Sequence, residues 1–329
     1  AWNDSLFMES WEVKCVSDTR PPFYEITEVK PLNNATPHAL FIDLGASASD
    51  VWVVNDGYWG IAVTEGQRYN FQFYLFTEEL KNTVVTAALL DCEEQIVVSK
   101  NFQIERDGSW NHYEGAFTVD TTANDLRFAL LLPHKGKVYI DFVSMFPENT
   151  FCGHKNGLRE DVAGMLRDLR PDFVRWPGGC IVEGLTMDNR IKWKETIGDI
   201  VKRPGEYNLW GYRSTYGFGY HEFLQFCEDI DADGLFVCNA GMSCLFRNGD
   251  YWEEENRIDN LIQDALDAVE YALGDTTTVY GKRRAENGHA APFPLKYVEV
   301  GNENVGLRYV KNYNRFYKAI KEKYPEMIV

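Results

Sequence analysis

The sequence predicts an antiparallel β-sandwich followed by an α/β region that forms part of a (β/α)8 TIM barrel. Up to about Pro147, short apolar runs alternate with polar residues at the period of a half-buried strand. Beyond Pro147, strands alternate with helices, and each of these strands ends in Gly, Asn or Glu, which is typical of a barrel. We therefore predict a sandwich over residues 1–147 and a barrel region over residues 148–329.

The composition excludes several functional classes. With 329 residues, the chain is long enough for about two domains. It has 45% hydrophobic residues but no apolar run that would span a bilayer, so we expect no membrane partner. The formal net charge of -17 would repel a phosphate backbone, so we expect no nucleic-acid partner either. Aromatic residues make up 14% of the chain and either stack on sugar rings or fill sandwich cores.

The cysteines and histidines form no metal-binding pattern. The chain has seven Cys without a Cys-x-x-Cys pair, and its six His are scattered singly. Most of the cysteines are therefore interpreted as small buried apolar residues, and we expect no disulfide framework, no metal site and no cofactor.

Nine strands are predicted in the first half, with polar turns between them and no helical pattern. Many short strands at this spacing indicate an antiparallel sandwich. The predicted strands are residues 23–29, 39–44, 58–63, 69–76, 83–90, 95–104, 112–119, 126–132 and 137–145.

Four helices and three strands are predicted in the second half. The helices are residues 157–169, 220–231, 257–273 and 307–324, and the strands are residues 173–176, 234–237 and 295–300. In the first helix, Leu158, Val162, Met165, Leu166 and Leu169 fall on one face. Three strands are fewer than the eight of a complete barrel, so we expect a barrel truncated at both ends, in an internal fragment of a longer enzyme.

Glu303 follows the last predicted strand, in the sequence Asn302-Glu303-Asn304. At the mouth of a barrel, a carboxyl group kept protonated by burial beside other carboxylates can protonate a leaving oxygen. We therefore predict Glu303 as a buried general acid; the alternative is a loop residue that faces solvent. Glycoside hydrolysis normally needs two carboxylates, and no second one is evident in the sequence.

Arg175 and Cys180 bracket the Gly-rich turn Pro177-Gly178-Gly179. The glycines permit a tight turn with close backbone approach, and Arg175 can hold a carboxylate or a sugar hydroxyl. An ordinary turn and a structural ion pair are the alternatives. Cys180 is interpreted as a pocket-lining residue rather than a nucleophile, because no His is near it in sequence.

Trp210 lies in a Gly-rich aromatic loop before the second helix and is predicted as a platform for a sugar ring, with packing of the loop as the alternative. Glu222 is predicted in the first turn of that helix, where an acid favours the helix dipole. Glu183, just past the Gly turn, is interpreted in the same way. Indirect binding of the substrate by either acid stays open, and neither lies where a nucleophile on a late strand would.

Together these motifs resemble the α-L-arabinofuranosidases of glycoside hydrolase family 51. The similar segments run in order from about residue 151 to 310: residues 173–184 (FVRWPGGCIVEG), 193–198 (WKETIG), 203–205 (RPG), 217–223 (GFGYHEF), 264–267, 270–272, 284–289 (RAENGH) and 297–304 (YVEVGNEN). Residues 59–63 and 141–147 are similar to the sandwich that some members insert, which resembles a carbohydrate-binding module.

The resemblance implies release of terminal α-L-arabinofuranose by a retaining mechanism. Glu303 would be the acid/base, and Asn302 would bind the sugar 2-hydroxyl group, an interaction that strengthens in the transition state. Arg175 and Cys180 would line the sugar pocket, and Trp210 would lie on the leaving-group side. The nucleophilic Glu of the family matches no residue of this chain, so we expect the fragment to be inactive alone.

Two alternatives stay open: a non-catalytic carbohydrate-binding fragment, and another retaining glycosidase of the same barrel clan. The expected partner in the first interpretation is an arabinose-containing oligo- or polysaccharide, and a homo-oligomer of the full-length protein is left open. The compartment is also undecided, with a secreted or periplasmic location favoured over a cytoplasmic one.

Overall fold

The computed structural model describes residues 8, 10–17, 22–46 and 49–329. The chain divides into two compact units, residues 1–163 and residues 164–329. Each unit is described below by itself.

The first unit contains eleven strands in the described residues, labelled β1 to β11 in chain order. Their bounds are Trp11–Cys15, Phe23–Thr27, Ala39–Asp43, Val51–Asn55, Ile61–Val63, Arg68–Glu78, Val84–Leu90, Ile96–Gln103, Trp110–Thr118, Ala123–Leu132 and Lys137–Pro147. One sheet has the order β1-β4-β10-β7-β8, with β5 also pairing with β10, and the other has the order β2-β3-β11-β6-β9. All pairs are antiparallel.

The core of this unit comes from alternate residues of the strands. In β6, Phe71, Phe73 and Leu75 are buried, and their neighbours point to the other face of the sheet. All nine predicted strands have counterparts in the structure. The prediction missed β1 and β4.

The second unit is built from helices around a three-stranded parallel sheet. Its elements are α1 Glu160–Asp168, which contains the boundary between the units, β12 Phe173–Trp176, α2 Gly179–Glu183, β13 Glu206–Tyr207, β14 Arg213–Ser214, α3 Tyr220–Asp229, β15 Asp233–Cys238, α4 Glu255–Leu273, α5 Val279–Glu286, β16 Leu295–Val300 and α6 Gly306–Lys323. The sheet has the order β12-β15-β16. These are the three predicted barrel strands; their membership of an eight-stranded barrel stays a prediction.

Helix α4 packs on this sheet through the face that its sequence predicts. Ile258, Leu261, Ala265, Val269 and Ala272 recur at helical spacing and are buried in the core of the unit. By contrast, the apolar side chains along α1 and just after it are exposed to solvent. They are Val162, Met165, Leu166 and Leu169.

The sequence analysis did not predict helix α5, because the side chain that anchors this helix in the protein interior is polar. Its sequence has no apolar stripe, and Arg284 is its largest buried side chain. The Arg284 guanidinium donates hydrogen bonds to backbone carbonyls, including those of Tyr271, Ala272 and Gly274 at the end of α4. These carbonyls lack partners within α4, so Arg284 caps that helix. In the described residues, no helix combines the length and apolar character needed to cross a bilayer.

Candidate active site

The candidate site lies at the carboxyl-end edge of the parallel sheet. Because β12, β15 and β16 run in the same direction, the segments that follow Trp176, Cys238 and Val300 meet at one edge. Arg175, Cys180 and Asn302 thereby come together from distant parts of the sequence, with Glu303 beside them.

Arg175 connects the outer strands of this sheet. Its Nε donates to Glu299 Oε2 at 2.7 Å, and its Nη2 donates to Glu299 Oε1 at 2.5 Å. The same Nη2 donates to Asn302 Oδ1 at 3.0 Å. The planar guanidinium therefore fixes a carboxylate and an amide together, which a flexible ammonium group cannot do with the same geometry.

Glu183 is the buried carboxyl group at this edge, with a relative exposure of 1%. Asn304 Nδ2 donates to its Oε1 at 2.8 Å, and Asn302 Nδ2 donates to its Oε2 at 3.3 Å. Burial raises the pKa of Glu183, and the bonds from the two amides act in the opposite direction. Glu183 thus orients both amides beside Glu303.

The sequence prediction missed this role of Glu183, which it interpreted as an acid at the start of a helix. The signal was present in the spacing. Glu183 follows Cys180 by one turn of the short helix α2, so both residues lie on the same face of that helix.

Glu303 itself is exposed, so the prediction that it would be buried among carboxylates is wrong for the described structure. Its backbone has φ 47°, in the left-handed region that non-Gly residues rarely adopt. Its Oε2 lies 3.9 Å from Cys180 Sγ. The turn after β16 therefore directs the carboxylate towards Cys180 and leaves it accessible to a ligand.

Cys180 forms a pair with Cys244. The Sγ atoms of these two residues and a carboxylate oxygen of Glu183 all lie within 4.8 Å of one another. Burial, followed by the neighbouring Cys244, raises the pKa of Cys180 to about 11. The thiol is therefore protonated near neutral pH, which agrees with a pocket-lining residue and not with a thiolate nucleophile.

Gly179 is packed directly against Asn302. A Cβ atom at Gly179 would lie 2.2 Å from Asn302 Oδ1, well inside van der Waals contact. The sequence predicted close backbone approach at the Gly turn, and the structure identifies the approaching group as the Asn302 amide.

The contacts of Trp210 in the described structure are with residues outside the group around Asn302. Its ring centroid lies 4.7 Å from the Arg247 guanidinium, and its backbone N donates to Asn208 Oδ1. With a relative exposure of 55%, the ring is open to solvent. Glu222, by contrast, caps the start of α3 as predicted, because its Oε2 accepts from the Gly219 N at 2.9 Å.

A groove of about 350 Å³ runs along β16, and Glu299, Asn302 and Glu303 are among its lining residues. This volume lies at the small end of the range for ligand pockets. The exposed carboxylate of Glu303 and the fixed amide of Asn302 thus face a space that can accept a small polar molecule.

Comparison with known proteins identifies the family of the chain. Residues 165–329 match the family model described as "Alpha-L-arabinofuranosidase 1 domain". The chain belongs to the α-L-arabinofuranosidases of glycoside hydrolase family 51. The resemblance found in its sequence motifs is confirmed.

Relatives of this chain come from plants, bacteria and fungi. It is 37% identical to α-L-arabinofuranosidase 1 of Arabidopsis thaliana over 86% of this chain and 41% of that protein. It is 35% identical to the extracellular exo-α-L-arabinofuranosidase of Streptomyces chartreusis, over 88% of this chain and 35% of that protein. The solved structure of the arabinose-bound family 51 enzyme MgGH51 superposes with a TM-score of 0.87 at 27% identity, over 97% of this chain and 51% of that one.

The chain spans less than half the length of the curated relatives it matches, 41% of the Arabidopsis protein and 49% of α-L-arabinofuranosidase A of Aspergillus niger. The matches nevertheless extend over both units of the chain. The family model itself covers the α/β unit, and the matches to the relatives extend into the sandwich unit.

Proposed function

We propose that this chain supplies the acid/base side of a retaining α-L-arabinofuranosidase site, with Glu303 as the proton donor to the leaving-group oxygen. The observation that carries the proposal is the arrangement at the edge of the parallel sheet. There, the accessible Glu303 carboxylate lies beside Cys180 and follows Asn302, whose amide is fixed by Arg175 and Glu183.

Each side chain has a role in this proposal that follows from its contacts. The Asn302 amide is held from both ends, so it can bind a sugar hydroxyl without paying for reorientation in the transition state. Arg175 positions Asn302 and is itself neutralised by Glu299. Cys180 lines the sugar pocket, and Trp210 offers an exposed ring to the leaving group.

A retaining mechanism also requires a nucleophilic carboxylate about 5–5.5 Å from the acid/base. The two other carboxylates at this edge of the sheet, Glu299 and Glu183, are unsuited to this role. Glu299 is engaged in two bonds to Arg175, and Glu183 is buried behind two amides. We therefore propose that the nucleophile is a residue other than these, and that residues 1–329 alone do not complete the covalent step.

The test uses a form of the protein that hydrolyses aryl α-L-arabinofuranosides. Glu303→Ala is expected to lower kcat/KM by about 10²–10⁴-fold on an arabinoside with a poor leaving group, since general acid catalysis supplies about that factor. With an activated aryl leaving group, which needs no protonation, the loss is expected to be much smaller. Kinetics on the paired substrates measure both.

The matched control is Glu286→Ala, an exposed glutamate on α5, which is expected to change neither rate. Equal losses on the poor and the activated leaving group would contradict the acid role of Glu303. Added azide, a nucleophile that needs no general base, should restore turnover of the activated substrate in Glu303→Ala.

A specific feature of the sandwich favours a second function, carbohydrate binding. Trp59 is 96% exposed and Tyr58 is 65% exposed, in the turn between β4 and β5. The backbone of the turn is held by a hydrogen bond from Tyr58 N to Asp56 Oδ1, at 2.7 Å. It also packs closely at Gly60, where a side chain would collide with the backbone of Asp125. An exposed indole ring on a turn whose backbone is fixed is suited to stacking on the face of a sugar.

We also propose that the substrate is an arabinose-containing oligo- or polysaccharide, because the relatives are named arabinofuranosidases. One relative is named extracellular, which supports a secreted location for this protein. Assay of arabinosidase activity in the culture medium and in the cell lysate of the source tests that location.

A further inference from the structure

The thiol pair next to Glu303 is a second chemical feature of the site, separate from sugar hydrolysis. Cys244 and Glu183 each have a relative exposure of 1%, whereas Cys180 is half-buried. Their two Sγ atoms and one carboxylate oxygen lie within 4.8 Å of one another. The cluster therefore has a buried floor and one open side, at Cys180.

Two sulfur atoms and one carboxylate oxygen are a donor set for a thiophilic divalent cation. Zn²⁺ binds Cys sulfur at about 2.3 Å and carboxylate oxygen at about 2.0–2.2 Å in tetrahedral geometry, so small side-chain rotations bring these donors into range. Mg²⁺ and Ca²⁺ prefer oxygen ligands throughout and are poorly served here. A water molecule or Glu303, whose Oε2 is 3.9 Å from Cys180 Sγ, can take the fourth position.

The surroundings already orient the carboxylate ligand. Asn304 and Asn302 donate to the two oxygens of Glu183, and Arg175 in turn holds Asn302. Outer partners of this kind fix ligand geometry in metal sites.

We propose that Cys180, Cys244 and Glu183 form a binding site for a thiophilic divalent cation such as Zn²⁺ or Cd²⁺, and that a cation bound there, with Cys180 Sγ 3.9 Å from Glu303 Oε2, hinders sugar binding at Glu303. Binding forms two metal–sulfur bonds and releases the two thiol protons to solvent, with no change of oxidation state. The cysteines are far apart in sequence, so spacing patterns did not reveal them. The first half of the proposal is independent of the proposed hydrolysis; the second half rests on it.

The test is a Cd²⁺ titration of the 329-residue chain in a reductant that does not bind metals, followed by the ultraviolet charge-transfer band of the cadmium–thiolate bond. One equivalent is expected to bind at the site. Loss of an outer partner costs about 10–100-fold in metal affinity, so loss of a ligand in Cys180→Ser or Cys244→Ser should cost about 100-fold or more. The matched control is Cys227→Ser, another buried cysteine, which should bind as the parent does.

Glu183→Gln keeps both thiols and the side-chain shape, and it is expected to weaken binding by at least about tenfold, as loss of an outer partner already does. Circular dichroism identifies any variant that fails to fold; if Cys244→Ser does, Cys180→Ser and Glu183→Gln decide the question. Parent-like Cd²⁺ affinity in both of these variants would overturn the metal site.

The effect of the bound cation on sugar binding is tested separately, in a form of the protein that hydrolyses arabinosides. Zn²⁺ is expected to act as a competitive inhibitor that raises KM, and the inhibition should be lost in Cys244→Ser. Intact Cd²⁺ binding without competitive inhibition would overturn the second half of the proposal and leave the metal site standing.

Discussion

Arg175 and Glu299 form an ion pair that reaches across the width of the parallel sheet. Arg175 belongs to β12 and Glu299 to β16, and β15 lies between these strands. Two hydrogen bonds, of 2.7 and 2.5 Å, join the guanidinium to the carboxylate. The pair therefore fixes the distance between the two strand ends that carry the Gly turn and Asn302.

Arg175→Lys is expected to reduce activity far more than stability. A lysine cannot bond Glu299 and Asn302 together, and misplacement of a positioning group by about 1 Å can cost about 100-fold in rate. Because the pair is about one-third exposed, its loss should cost about 1 kcal/mol or less of folding free energy. Steady-state kinetics and thermal unfolding are the measurements. Arg308→Lys, in an exposed ion pair with Glu253, is the control, and an equal effect on activity there would contradict the positioning role.

Gly179→Ala is expected to displace the Asn302 amide. The added methyl group would lie 2.2 Å from Asn302 Oδ1, so the side chain must leave its position between Arg175 and Glu183. We expect a loss of kcat/KM of about 100-fold, in line with other small misplacements. Gly164→Ala, whose Cβ would come no closer than 3.8 Å to a neighbour, is the control and should be neutral. Undiminished activity in Gly179→Ala would show that Asn302 is not a required contact.

Asp141→Asn is expected to stabilise the first unit at neutral pH but not in acid. Asp141 is buried, and its Oδ2 has no hydrogen-bond partner among the described residues. Burial raises its pKa from 3.8 to about 6, against smaller opposing effects that include His38. Because the raised pKa belongs to the folded state, Asp141 does not destabilise the fold below about pH 4, where it is protonated in both states. The loss of folding free energy from its ionisation grows as the pH rises to about 6, where it reaches up to about 3 kcal/mol.

The measurement is urea unfolding at pH 4 and at pH 8. Asp141→Asn should be more stable than the parent at pH 8 and nearly equal to it at pH 4. Asp120→Asn, at an exposed position of the same unit, should show no such pH-dependent gain. A difference that is the same at both pH values would mean that the ionisation of Asp141 has no part in it.

Trp59→Ala is expected to abolish binding of the 329-residue chain to arabinan or xylan, if the sandwich binds sugar through its exposed turn. The indole ring is the largest exposed apolar surface of that turn. Affinity electrophoresis in polysaccharide gels measures the retardation. Trp110→Ala, in a half-buried ring packed on Phe76, is a control for general loss of aromatic residues. Unchanged retardation in Trp59→Ala would remove the turn from the binding surface.

The sequence was most informative where apolar periodicity and burial agree. The strands β12 and β16 match their predicted bounds, because short apolar runs end at Pro-Gly-Gly and at Gly-Asn-Glu-Asn. Helix α4 matches because one continuous apolar face packs on the sheet. Strands β1 and β4 carried usable signals, an alternation in Trp11–Cys15 and a β-branched run in Val51–Asn55, and the prediction overlooked them.

Other features follow from contacts that no local pattern encodes. Helix α5 is anchored by a buried arginine whose partners are carbonyls of α4, so apolar periodicity is silent there. Glu183 is the last residue of α2 and not in a first helical turn, and its two amide partners come from the far end of the chain. Glu303 is exposed and has a left-handed backbone conformation, which cannot be predicted from its being a glutamate.

The contact between Gly179 and Asn302 carries a consequence for comparing relatives of this chain. The side chain at one position occupies the space that the other leaves empty, so the two sites should vary as a pair across the family. A homologue with a residue larger than Gly at position 179 should have a residue shorter than Asn at position 302, or should lack arabinoside turnover. Surveys that score each column of an alignment separately would overlook that dependence.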